Sequence, residues 1–148
     1  MNIEKSPANL ATNINSATDF CWQNRGRVLQ WAASRQKLFR YVAFCIISGK
    51  IAISFENGNV KAVIFYWCDF QERIEAKYEH RHPQFEWKST HNGDSVFVGD
   101  VIGDRLHVSK LWQSAVEKWP HLLVTPIFTL RHEKLVRINP AMLNRFAL

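Results

Sequence analysis

No stretch of this sequence approaches the ~20 consecutive apolar residues that a helix needs to cross a bilayer, so the sequence shows no membrane-spanning helix. Residues 1–16 are polar and lack the basic-then-apolar order of a secretory signal, and the expectation is a soluble cytoplasmic protein. Cysteine is scarce: Cys21, Cys45 and Cys68 lie far apart among apolar neighbours. An odd, scattered set fits neither a disulfide framework nor the paired short spacings of a zinc site, and reads as buried thiols. Internal repeats and low-complexity tracts are missing as well.

What the chain does have is core material. Hydrophobic residues make up 47% of its 148 positions and six of them are tryptophan, enough for one packed domain. Bases outnumber acids, giving a net charge of +6, and the pI of about 9.5 favours an acidic partner. The basic residues are spread without a polybasic tail, so charge alone does not choose between nucleic acid, an anionic surface and an acidic protein.

Taken in order, residues 1–16 read as a flexible arm and residues 17–148 as a single domain. Asp19 is placed to cap a first helix through Trp22, Val28, Leu29, Ala32 and Ala33, weakened at Gly26. A second helical period runs through Leu38, Val42, Cys45 and Ile46 toward Gly49, with a strand over residues 41–47 as the alternative. Two β-rich runs, 50–55 and 61–67, flank Asn57-Gly58, the strongest short hairpin signal. Residues 69–79 are charged and suit a short helix or an edge segment, and residues 80–94 read as a loop.

The stretch 95–120 organises the rest. Val96, Phe97, Val98, Val101 and Ile102 form a strand with the pattern of burial on both faces, interrupted by Asp100. After Gly103, the apolar residues Val108, Leu111, Trp112, Ala115, Val116 and Trp119 recur at helical steps until Pro120 stops them. Residues 122–130 form another apolar run with Pro126 inside it, implying an edge or a bulge. Residues 135–138 supply its antiparallel partner. The last eight residues suit a short docked helix. Helix, helix, hairpin, charged segment, strand, helix and two strands make an α+β fold of mixed layers, with helices packed on a mostly antiparallel sheet. Acyl-transfer folds of the GNAT type have this order.

Typical members of that fold cradle the pyrophosphate of coenzyme A on bare amides at a helix start. Here the corner is Gly103-Asp104, with one glycine followed by an acid. An acid there repels a pyrophosphate, so coenzyme A is disfavoured and no cofactor is expected.

The chain resembles a narrower GNAT-related family, the toxin-activating lysine acyltransferases that modify RTX protoxins. The resemblance runs in order over residues 20–140. It rests on Gly26–Trp31 and Leu38–Ile47 for two helices, Ile51–Phe55 with Val63–Trp67 for a hairpin, Glu72–Tyr78 for an acidic segment, Val98–Gly103 for an aspartate strand and Arg137–Pro140 for the terminal strand's end. It implies transfer of a fatty acyl group from acyl-carrier protein to a lysine of a protein substrate. A histidine in a Ser-Pro-Leu-His motif would act as base, with the strand aspartate beside it. Asp100 stands at the aspartate and Ser34 at the serine, whereas Arg35, Gln36 and Lys37 occupy the places of Pro-Leu-His. On this resemblance the chain reads as a divergent member without the family's histidine motif.

Neither Arg nor Gln replaces an imidazole that titrates near neutrality. His107, one turn into the helix after Asp100, is the candidate substitute, with the acid orienting its ring. A solvent-facing His107 and a strand-end Asp100 bonded to turn amides are the structural alternatives. Arg35, Lys37 and Arg40 form a basic cluster that is either a solvated face or a docking site for acidic acyl-carrier protein. His80, His82 and His91 share one loop, but without a Cys or carboxylate at fixed spacing no metal is expected. Phe85 and Trp87 near Arg81 and Lys88 would suit stacking on single-stranded nucleic acid, a minor option without an accompanying signature. A catalytically degenerate binding or assembly module is the alternative to the enzyme, and a homodimer stays open.

Overall fold

The computed structural model describes residues 9–26, 29–78, 93–131 and 134–138. Two helices, α1 (Leu10–Gln23) and α2 (Arg35–Ser48), lead into β1 (Ile51–Glu56) and β2 (Asn59–Asp69). A short helix α3 (Gln71–Tyr78) precedes β3 (Ser95–Gly103), and α4 (Arg105–Lys118) runs into a 3-10 turn at Pro120–Leu123. The strands β4 (Ile127–Arg131) and β5 (Lys134–Ile138) follow. This is the expected order. The five strands lie in sequence order, β1-β2-β3-β4-β5. Every neighbouring pair is antiparallel except β3 with β4, which α4 connects as a parallel crossover.

Local chemistry accounts for most of the boundaries. Ser34 caps α2 by accepting from the Lys37 N–H at 3.2 Å. Gly49 ends that helix at φ 72°, where a side chain would be strained. Asn57 and Gly58, at φ 53° and 79°, make the tight turn of the β1–β2 hairpin. Helix α1 departs from expectation. It starts at Leu10, so residues 10–16 belong to a helix rather than an arm, and Asp19 sits inside it rather than at its cap. The interior of α1 is Ile14, Ala17, Thr18 and Cys21, a stripe at helical spacing that the polar residues between them disguise. In the 122–130 run, Pro126 precedes the strand instead of lying within it. Its carbonyl accepts from the Val96 N–H at 2.9 Å, which leaves Ile127 to open β4.

The sheet has two dressed faces. Against α1 and α2 lie Ile51, Ile53, Val63, Phe65 and Ile102, with Tyr41 stacked on Phe65 at a centroid distance of 4.8 Å. Against α4 lie Ala52, Ala62, Ile64, Val98 and Ile127, facing Val108, Leu111 and Trp112. A third cluster, Trp67, Phe97, Ile74 and Phe128, closes the α3 end. Strand β2 is therefore covered on both sides, as its unbroken apolar run implies. Strand β3 is covered on both sides only in its first half, since Val101 is 37% exposed.

Two features of β3 position the site. Ile64 pairs with Val101 and Tyr66 with Val98, so Phe65 opposes both Gly99 and Asp100 in a β-bulge. The parallel ladder with β4 covers only Val96–Val98 against Ile127–Thr129, so it stops one residue before that bulge. Gly103 then ends the strand at φ 137°. A Cβ there would lie 2.7 Å from the Lys61 carbonyl and 2.8 Å from Ala62. Neither backbone can retreat. Gly103→Ala is expected to destabilise the fold by at least about 1–3 kcal/mol, read as a lowered urea midpoint with an unchanged slope.

Candidate active site

Asp100 sits in the bulge, on the side of β3 that faces α1 and α2. Its neighbour two residues on, Ile102, packs in that core. The Leu29 N–H bonds to the carboxyl, and the Cys21 thiol of α1 lies close enough to feel its charge. Burial raises the Asp100 pKa from the ordinary 3.8 to about 6, the Leu29 N–H holding it back from going further. Leu29 has φ 58°, a left-handed conformation that a leucine adopts only under constraint. A strained, buried leucine directing its N–H at a half-buried acid is the arrangement expected where a carboxyl is kept for chemistry. Cys21 is no competitor as a nucleophile, because burial and the Asp100 charge both push its pKa upward.

His107 does not join Asp100. Its Nδ1 lies 2.7 and 2.8 Å from the two Asp104 oxygens, and its Nε2 lies 2.8 Å from Glu56 Oε2 at the hairpin tip. Both ring nitrogens are taken by other acids. The ring belongs to α4, on the face of the sheet opposite α1 and α2, so the expected Asp100–His107 pair is not formed. Sequence proximity misled because a strand and the helix after it sit in different layers. Hydrogen bonds to Glu56 and Asp104 raise the His107 pKa and lower both of theirs.

Asp104 explains the glycine corner. It caps α4, accepting from the His107 backbone N–H at 2.9 Å. Its carboxylate thus sits where a phosphate would need the bare amides of the helix start.

The basic cluster is split. Arg35 Nε donates to Asp19 Oδ1 at 2.9 Å and so ties α2 to α1. Successive residues of a helix are offset by about 100°, which puts Lys37 and Arg40 on one exposed side and turns Arg35 well away from both. Phe85, Trp87, Arg81 and Lys88, and His80, His82 and His91, lie outside the described residues. Among the described residues no group of three or more His, Cys, Asp and Glu is arranged to hold a metal ion, and no helix is long and apolar enough to cross a membrane.

One feature escaped the sequence. A pocket of about 330 Å³ opens between α4 and the sheet, lined by Ala52, Ile64, Val96, Val98, Leu111, Trp112, Ala115 and Ile127 among others. Tyr66, Cys68, Trp119 and His121 also line it. Small residues at positions 49, 52 and 115, set among bulky ones, were the available signal. Only the packing of α4 on β1 and β2 shows that they face one space.

No family model matches the chain, and no curated protein does. Among solved structures the chain is similar to an N-acetyltransferase from Staphylococcus aureus Mu50, at 12% identity and a TM-score of 0.44, covering 84% of this chain and 77% of that one. A likeness of that size carries no argument about activity.

Two pH windows follow from the shifts. A buried acid with a raised pKa stabilises the fold only while protonated, so its contribution is present below 3.8 and lost as pH rises through about 6. At 1.36 kcal/mol per pH unit that gap amounts to about 3 kcal/mol. Asp100→Asn is therefore expected to be the more stable protein at pH 8 by up to about that amount, and no more stable than wild type below pH ~4. Urea denaturation at both pH values measures it. The His107 contribution is present below its ordinary 6.5 and is lost as pH rises through its raised folded value. His107→Gln should remove the wild type's loss of stability above pH ~6.5 while leaving the slope between about pH 5 and 6 intact.

Proposed function

We propose that this chain is an acyltransferase-like protein of the GNAT-related kind, with Asp100 at its reaction centre. The observation that carries the reading is Asp100 itself, a half-buried carboxyl at a strand bulge, poised to exchange a proton near neutrality with a pKa of about 6. The order of elements and the parting of β3 from β4 beside the bulge agree with it. The finer form is transfer of a fatty acyl group from acyl-carrier protein to a lysine of a protein substrate. In that form the lysine nitrogen attacks the thioester carbonyl, a C–N bond forms and the C–S bond breaks. The Asp100 carboxylate takes the proton that the amine loses and returns it to the departing thiolate. Asp100 would thus serve as the base in place of the missing imidazole, rather than orient one. The capping carboxylate of Asp104 favours a carrier-protein donor over coenzyme A.

A second reading, a binding module without transfer chemistry, is favoured by one observation. Both nitrogens of His107 are engaged by Asp104 and Glu56, leaving Asp100 without that imidazole. Mass spectrometry after incubation with acyl-carrier protein loaded with different acyl chains, and a lysine-bearing acceptor, separates the two. The enzyme should add the acyl mass to the acceptor, at a rate rising with pH through about 6. Asp100→Ala should lose the activity. No transfer from any donor, with wild type equal to Asp100→Ala, leaves the binding module, whereas transfer by Asp100→Ala at the wild-type rate removes Asp100 from the reaction centre.

A further inference from the structure

Glu56 and His107 stand 51 residues apart in the chain and meet where the tip of the β1–β2 hairpin touches the first turn of α4. The ring carries an acid on each nitrogen. Nδ1 lies 2.8 and 2.7 Å from the two Asp104 oxygens, and Nε2 lies 2.8 Å from Glu56 Oε2. Ionised carboxylates only accept hydrogen bonds. Glu56 and Asp104 are both held below their ordinary range, by hydrogen bonds from His107, so neither supplies a proton in the ring's place. Both contacts therefore need a proton on both nitrogens, which an imidazolium has and a neutral imidazole lacks.

The two sides are not held equally. Asp104 offers both oxygens to Nδ1, and its Oδ1 also accepts from the His107 backbone N–H at 2.9 Å, so the helix cap pins it against the ring. Glu56 offers one oxygen, from the last rung of the β1–β2 ladder, where it pairs with Asn59. The register of that ladder slips between Ser54 and Phe55, just before the tip. Nε2 is thus the nitrogen that gives up its proton. A bare ring nitrogen then faces a carboxylate oxygen across 2.8 Å, and repulsion replaces the bond. Lys61 of β2 and Lys110 of α4 also act on Glu56, and their charges keep its carboxylate ionised once the ring is neutral.

We propose that His107 is a proton-operated latch, closed on Glu56 while the ring is an imidazolium and open at Nε2 once it is neutral, with the Nδ1–Asp104 bond kept in both states. Opening frees the hairpin tip from the start of α4. It leaves Val108 in its apolar cluster with Ala52 and Ala62, so the layer itself stays packed. The two acids raise the folded pKa of His107, so the latch is closed below the ordinary 6.5 and opens as pH rises through the raised value. It stands apart from Asp100 and does not depend on acyl transfer.

Nitrogen NMR of the full chain, titrated from pH ~5.5 to ~9.5, tests it. Above the titration the ring should settle in the Nδ1–H form, against the Nε2–H form that a free imidazole prefers. Backbone order parameters at Asn57 and Gly58 should fall from about 0.85 to below about 0.6 through the same midpoint. Glu56→Gln should hold the tip at both ends of the range, because its amide accepts from a protonated Nε2 and donates to a bare one. In that variant His107 should titrate at a lower pH, having lost one anion. A double-mutant cycle with Glu56→Ala and His107→Ala, read by urea denaturation, should give a coupling of about 1.5- to fivefold in the folding equilibrium at pH ~5.5 and none at pH ~9.5. The proposal falls if the neutral ring is the Nε2–H form, if the coupling survives at the higher pH, or if the tip of Glu56→Gln loosens as in wild type. Should His107→Ala fail to fold, the ring form and the Glu56→Gln tip decide without the cycle.

Discussion

The double burial of β2 is the constraint on which the rest depends. An eleven-residue strand whose side chains alternate between two cores turns the sheet into a wall. Everything α1 and α2 bring lies on one side of that wall, and everything α4 brings lies on the other. Phe65 faces the first side, fully buried under Tyr41, and Ile64 faces the second. The bulge opposite Phe65 is what admits a carboxyl to the first core. Without an extra residue in β3, an acid here would have to displace a packed apolar side chain.

Asp100 costs the fold stability at neutral pH, and nothing among its described neighbours compensates it with a cation. The Leu29 N–H bonds to it, but at the expense of a left-handed leucine. Two local costs at one spot, a buried acid and a strained backbone, mark a position whose sequence answers to something other than stability. The His107 cluster is different in kind. It joins the hairpin tip to the start of α4 through groups that mostly face water, and its members satisfy one another. That makes it a fastening of the α4 layer.

Much of the architecture was legible in the residues. Gly49 marked the end of α2, Asn57-Gly58 placed the hairpin, and the spacing from Val108 to Ala115 placed α4. These are signals within a few residues, where capping and periodicity act directly. Helix α1 was misread because its inward stripe contains Asn13 and Thr18, buried polar residues that weaken the apolar period. At the site, Asp100 stood out as an acid within an apolar run. Its supposed partner did not hold, because choosing a partner is a statement about layers. The pocket left only a faint trace, since small residues such as Ala52 and Ala115 carry meaning only once the fold brings them to one lining.

The sequence by itself determined the element order, the turns and caps, and the presence of one anomalous acid, since each follows from local propensity and hydrophobic period. Only the tertiary structure decided what that acid touches. Packing put Leu29 and Cys21 beside Asp100, delivered His107 to Glu56 and Asp104, and left open space under α4. Those outcomes depend on which face of the sheet each helix covers, and contacts across a sheet are written in residues far apart along the chain.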